Sequence, residues 1–356
     1  MCSLSITTNI LKSLETSSSI GMFARDTGGC LISRLGLSRS KDESREISFA
    51  EISESAVFYF SAPAAAKTAA KIFAKHNNIT KEQLSTPFKE LKNIQNSELL
   101  KAIKIGKFGQ IASTFSLILP IVFGIAPIRN ILTYSETGKE KFVSVVNLEK
   151  EQKTKHRNEA KEKSLKMVKT LSLVAIGGLA SVLTATKLLK NGKIYKTVEP
   201  ALNSFIKHMD FTKSGDLELA HYGALIYPVS IASYFYASRD KYEKLENARR
   251  FSITVPLLFF GEKLIQNPIY KKFDKIFKTN VRENGNIKSY KEILRLPKDQ
   301  QKAMLKTKNL AYGLTFTINT MAIAAAVALL NRLETKRKFE KDKHGNLTDS
   351  NYQGVK

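Results

Sequence analysis

The sequence predicts an all-α fold, a multi-pass helical membrane protein with four to five apolar helices joined by basic amphipathic ones. Three observations predict it. Five uncharged apolar stretches, at residues 108–128, 170–186, 219–238, 251–261 and 309–331, interrupt a lysine-rich chain of 356 residues. Three of them match the roughly 20 helical residues that cross a hydrocarbon core. The formal net charge is +25 while hydrophobic residues make up only 43%, which fits a few spans separated by large polar segments facing anionic headgroups.

Taken in order, residues 1–107 read as a polar, basic N-terminal region with amphipathic helices. Its first 39 residues are rich in Ser and Thr, which resembles a transit peptide in composition, although a polar tail has the same composition. Residues 56–66 are apolar but short, and Pro63 is expected to break them. Lys67, Lys71 and Lys75 then recur on one helix face. Thr80 suits a helix cap, followed by an apolar row from Leu84 to Ile103, with Gly106 as the expected stop.

Residues 108–331 read as the membrane domain with large basic loops. Pro120 and Pro127 are expected to kink the first span, as neighbouring helices allow. Residues 147–169 form a solvated, ion-paired run. In the second span Gly177, Ser181 and Ala185 recur every four residues, a spacing that lets helices approach closely in lipid. Tyrosines near both ends of 219–238 suit an interfacial belt. The stretch 251–261 is too short to cross alone and is expected to be a shorter fifth helix. In the last span Asn319 is expected to hydrogen-bond to another helix. Residues 332–356 read as a charged tail. Short glycine turns at Gly138, Gly192, Gly285 and Gly345 follow most apolar helices, but with no fixed period, so a repeat protein is not expected.

Few residues suggest chemistry. Asp210, Thr212, Ser214, Asp216, Glu218 and His221 fall at the ligand positions of an EF-hand-like loop, with Gly215 at its turn. His221 stands where the bidentate carboxylate belongs, so tight calcium binding is not expected. Asp26-Thr27-Gly28 matches an aspartic-protease tripeptide, but no second copy exists. Two cysteines, Cys2 and Cys30, exclude a disulfide scaffold. No phosphate loop, HExxH or nucleophile elbow is present, so neither an enzyme nor a cofactor is expected. Glu262 and His221 are the ionisable residues bordering apolar stretches, and both read as helix termini.

The leading functional expectation is therefore an integral membrane protein with structural or interaction duties, its basic segments against anionic lipid, with a protein partner or a second copy as further contacts. A transporter or channel is the alternative. A soluble basic protein binding nucleic acid is a third class, disfavoured because aromatics that would stack on bases are sparse in 147–169. Every connection is basic, so the positive-inside rule does not orient the chain.

Overall fold

The computed structural model describes residues 6–16, 18–150, 156–210, 221, 225–283 and 285–352. These are helical almost throughout, as the apolar runs and scarce strand patterns require. One antiparallel hairpin, β1 (Arg282–Glu283) and β2 (Asn286–Ile287), turns at Gly285 with φ +85°. The helices are α1 (Ile6–Thr16), α2 (Ser18–Phe23), α3 (Ile32–Gly36), α4 (Lys41–Ser55), α5 (Ala62–His76), α6 (Lys81–Leu84), α7 (Ser97–Thr137), α8 (Phe142–Val145) and α9 (Arg157–Leu189). They continue as α10 (Gly192–Met209), α11 (Tyr227–Tyr236), α12 (Lys241–Pro256), α13 (Glu262–Phe277), α14 (Tyr290–Ile293), α15 (Lys298–Met321) and α16 (Val327–Tyr352). π-helical segments at Ala24–Leu31, Ala56–Ser61, Leu257–Gly261 and Ala322–Ala326 join successive α-helices without a break.

The chain divides into two compact units. One holds Met1–Glu51, Lys139–Gln152 and Ser238–Lys356; the other holds Ile52–Gly138 and Lys153–Ala237. Both sequence-expected boundaries, at 107 and 331, fall inside continuous helices. In the first unit Tyr270, Val281, Tyr290, Ile293, Met304, Ala311 and Tyr312 form a core, with Leu11 and Leu14 of α1 against it. In the second unit α5 and α9 pack on α7. Gly109 admits the Phe73 ring, which lies 2.3 Å from where a Cβ would stand, and Gly124 likewise admits Leu171. A glycine there exchanges side-chain bulk for close helix approach.

Among the described residues, three helices are long and apolar enough to cross a membrane: Ser97–Thr137, Asn158–Leu189 and the continuous run Lys298–His344. Each of them leaves large apolar side chains on its outer surface, where a water-soluble helix carries polar ones. On α15 Leu310, Leu314, Ile318 and Met321 are 42–60% exposed, while Lys308, Thr315 and Asn319 are at most 2% exposed. On α7 Lys107 and Thr114 are fully buried, and Ile121 and Leu132 are exposed. On α9 only 6% of the apolar window is buried.

Several sequence-based expectations need correction. Gly106 does not stop a helix; it lies inside α7, where a Cβ would sit 3.0 Å from Leu84 and 3.2 Å from Ile79. The row from Thr80 to Ile103 is split into α6, a 3-10 turn at Phe88–Asn93 and the start of α7. Pro63 does not end the helix, which runs on from the π-helical segment Ala56–Ser61 into α5. Stretch 251–261 is not a separate short helix but the middle of the run from α12 through α13. Stretch 219–238 shows a ten-residue helix, α11, in its described part. Gly345 lies within α16, whereas Gly138 ends α7 with φ +70° as its turn requires.

Gly177 has nothing within 4 Å of a built Cβ, whereas Gly178 meets Ser116 of α7 at 3.0 Å. Gly178→Leu is therefore expected to lower the thermal midpoint in detergent, by the equivalent of about 1–3 kcal/mol of overpacking. Gly177→Leu should leave the midpoint unchanged. Equal losses for the two variants would refute the assigned α7–α9 contact face.

Candidate functional site: buried charge among apolar helices

Lys308 lies on the inward row of α15, one helical turn from Tyr312 and aligned with Thr315 and Asn319. Its ammonium is 2.5 Å from Glu15 Oε1 at the end of α1. It also stands 5.4, 5.3 and 5.8 Å from the ring centres of Tyr270, Tyr290 and Tyr312. The quadrupoles of those rings favour a cation, so the lysine is enclosed by three negative faces and one carboxylate. The Tyr290 N–H donates to Glu15 Oε2 at 2.9 Å. Asn309 Nδ2 donates to Thr8 Oγ1 at 2.8 Å, tying α1 to α15 a second time.

The second unit holds a similar arrangement. Lys107 of α7 donates to both oxygens of Asp210, at 3.1 and 3.2 Å. The Phe88 N–H donates to Asp210 Oδ2 at 3.1 Å. One turn before Lys107, Lys104 pairs with Glu199 of α10 at 2.9 Å.

A third group lies in the first unit, where the N-termini of α4 and α12 meet α8. Arg39 donates to Glu43 and Glu246, each at 2.8 Å. Arg239 donates to Glu46 at 2.7 Å and to Glu243 at 3.0 Å. Both guanidinium carbons lie over the Phe142 ring, at 5.3 and 5.7 Å. The two caps also reach α8. Ser40 Oγ accepts the Glu43 N–H at 2.9 Å and donates to the Val145 carbonyl at 2.5 Å. Asp240 accepts the Glu243 N–H at 2.9 Å and the Val143 N–H at 3.1 Å. Burial would push the Glu43 carboxyl up, but hydrogen bonds and charge from Arg39, with Arg332 behind, hold it below the usual carboxylate range. Burial opposes the Arg39 and Arg239 cations too, yet their paired glutamates raise both further.

Three π-helical segments meet in the first unit. Gly29 of one abuts Thr320, Gly261 of another abuts the side-chain Oδ1 of Asn319, and both partners sit just before the third, Ala322–Ala326. Arg25 pairs with Glu262 here and covers the Phe316 ring at 4.8 Å. Buried Asn319 Nδ2, Thr320 Oγ1 and Tyr270 Oη have no hydrogen-bond partner. π-Bulges and unsatisfied buried polar atoms both concentrate at functional positions.

The sequence-derived candidates are placed as follows. Asp210 is paired with Lys107; Thr212, Ser214, Asp216 and Glu218 lie outside the described residues. His221 is buried. Gly177 and Ser181 lie on the exposed face of α9, and Ala185 is half-buried; within the chain the close contact falls on Gly178. Asn319 is buried against Gly261. Glu262 is ion-paired. Among the described residues no group of three or more His, Cys, Asp or Glu could hold a metal ion. A cavity of about 260 Å³ in the second unit is lined by His76, Lys101 and Lys190. Its lysines donate to the carbonyls of Lys190 and His76, capping helix ends rather than a ligand. Sequence reasoning missed Lys107 and Lys308. Each immediately precedes an apolar stretch, the one available signal.

Removing one partner of a buried pair leaves a bare charge, which costs about 3–5 kcal/mol. Glu15→Gln is expected to lower the detergent midpoint strongly, and Lys308→Met in the same chain should recover part of that loss. No recovery in the double variant would refute the pairing. The Glu43 carboxyl sits below its unfolded value, so its contribution is present above about pH 4.3 and is lost as pH falls through the folded value. The midpoint should therefore drop on acidification. Glu43→Gln should lower it at neutral pH and flatten that acid limb; an unchanged limb would show that other carboxylates set it.

Comparison with known families, characterised proteins and solved structures finds no match for this chain.

Proposed function

We propose that the chain is a multi-pass integral membrane protein with a structural or interaction role, its basic segments held against anionic lipid. The observation that carries this reading is the outer surface of the long helices: leucine, isoleucine and valine outward on α9 and α15, with Lys308, Thr315 and Asn319 inward on α15. Water would penalise the outward apolar rows, whereas lipid is their solvent, and ionisable groups in spanning helices face the bundle interior. Helix α9 supports the same reading. Its uncharged residues 170–186 extend about 26 Å at 1.5 Å per residue. Lys166 and Lys169 before them, and Lys187 after them, are exposed, as lysines are when they reach toward headgroups. A protein partner or second copy would meet this same exposed face.

The test is alkaline extraction of membranes from expressing cells, with nuclease treatment in parallel. The chain should stay in the pellet at high pH and need detergent for release. A monodisperse chain obtained without detergent would overturn the proposal, and release by nuclease would favour nucleic acid instead.

A channel or transporter is the second reading, favoured by the buried polar row Lys308, Tyr312, Thr315 and Asn319. It requires cation or proton flux into liposomes carrying the purified chain, diminished by Asn319→Leu. Flux equal to that of empty liposomes would remove this reading.

A further inference from the structure

We infer that the chain is an internal duplication: residues 10–130 and 205–331 are two copies of one element, and each compact unit is assembled from parts of both. The inference is independent of the membrane reading. It corrects the expectation from glycine spacing that no repeat is present.

The correspondence is carried by geometry as well as sequence. Ser38-Arg39-Ser40-Lys41-Asp42-Glu43 recurs as Ser238-Arg239-Asp240-Lys241-Tyr242-Glu243. In both places the Arg N–H and side chain bind the Glu four residues later, and the residue between Arg and Lys caps the helix. At the same offset of 200, Glu46 matches Glu246. The π segment Ala56–Ser61 matches Leu257–Gly261. Asn78, a residue with φ +52°, matches Lys278, with φ +50°. The Ile79 N–H to Ala74 carbonyl bond matches the Thr279 N–H to Asp274 carbonyl bond.

Past the hairpin the register becomes 202. Phe88-Lys89-Glu90-Leu91 matches Tyr290-Lys291-Glu292-Ile293, and the Ile94 N–H to Leu91 bond matches Leu296 to Ile293. At 201, Lys107, Thr114 and Phe115 match Lys308, Thr315 and Phe316. Both threonines are fully buried and donate to the carbonyl four residues back, at 2.8 Å.

A lysine-rich helical chain matches itself at isolated positions by chance. It does not thereby reproduce a left-handed residue, a π segment, a capped Arg–Glu turn and a buried lysine in one order. The decisive feature is reciprocity. Arg39 of the first copy meets Glu246 of the second, and Arg239 of the second meets Glu46 of the first. Such exchange, i to j and j to i, is the mark of a self-complementary interface. The lysines obey the same rule: Lys107 of copy one takes Asp210 of copy two, and Lys308 of copy two takes Glu15 of copy one. In each case the carboxylate also takes the N–H of the matched residue, Phe88 or Tyr290. The surface that one copy presents is thus filled by the other, with α9 lying between the copies in sequence.

Segment transplantation in the full chain tests this. Residues 38–78 are replaced by 238–278. In a control they are replaced by 298–338, another helical segment of equal length that also contains a π segment. The first chimera should give a monodisperse peak in detergent and a cooperative melt, and the control should aggregate. Equal behaviour of two folded chimeras overturns the inference. Where neither folds, a shorter exchange decides: Ser40→Asp, Asp42→Tyr, Ser44→Lys and Arg45→Leu give 38–46 the sequence of 238–246. This variant should melt within about 4 °C of the parent. The same four residues permuted, Ser40→Leu, Asp42→Lys, Ser44→Tyr and Arg45→Asp, should melt clearly lower. A transplant no more stable than the permutation overturns the duplication.

Discussion

The pairing of buried lysine with a carboxylate from a distant part of the chain is the constraint on which the rest depends. An ammonium inside apolar helices is tolerable only when a counter-charge and further hydrogen bonds accompany it. Lys308 therefore requires α1 to return from the start of the chain to α15, and Lys107 requires α10 to deliver Asp210 to α7. The backbone N–H groups of Tyr290 and Phe88 complete the carboxylate shells, so the turns carrying them are also fixed. One requirement thus positions three separate elements in each unit. These contacts join residues far apart in sequence, and loop closure must precede their reward, which slows folding.

The inverted surfaces follow from the same pairing. Once Lys308, Thr315 and Asn319 turn inward on α15, the outward face of that helix from Leu310 to Met321 is Leu, Ile and Met apart from Thr317. A chain folding in water would reverse this arrangement to hide its apolar rows. Helix α9 is the extreme case. It contributes Leu171, Gly178 and Val182 to the contact with α7 and leaves Leu173, Val174 and Ile176 outward. Under the proposed membrane reading, lipid would solvate the outward face of such a helix, so that a single packed face suffices.

Much of this was legible in the sequence. The three spanning-length helices coincide with uncharged runs, because length and hydropathy are local properties. Other features depended on what the rest of the chain supplied. Gly106 reads as a stop from its neighbours, yet Leu84 and Ile79 make it a packing site. Gly177 and Gly178 are adjacent, and the choice between them is a rotation of about 100° set by Ser116 on another helix. Lys107 and Lys308 read as the ends of apolar runs because lysine ordinarily marks an interface. The counter-charges that bury them lie about a hundred or more residues away. The duplication was hidden because insertions shift its register from 195 at Glu15 and Asp210 to 200, 202 and 201 further along. Identity survives chiefly at charged and capping positions rather than in the exchangeable apolar ones.

Joining the two copies in one chain has a physical consequence for the charges. A copy alone would hold its lysine and its carboxylate in separate places, each buried without a partner, and its Arg would lack the Glu of the other copy. Each such orphan is a large fraction of the marginal stability of a domain. As separate molecules the copies would have to meet at sufficient concentration to satisfy those groups. Within one chain the encounter is intramolecular, with an effective concentration set by the connection through α9. The fusion also lets the copies diverge. Lys308 carries three surrounding tyrosines in addition to its carboxylate Glu15, and Asn319 stands where the first copy has Ile118. The same ionic frame therefore supports two chemically different interiors, and the polar row of α15 is the one in which unsatisfied hydrogen-bonding groups have accumulated.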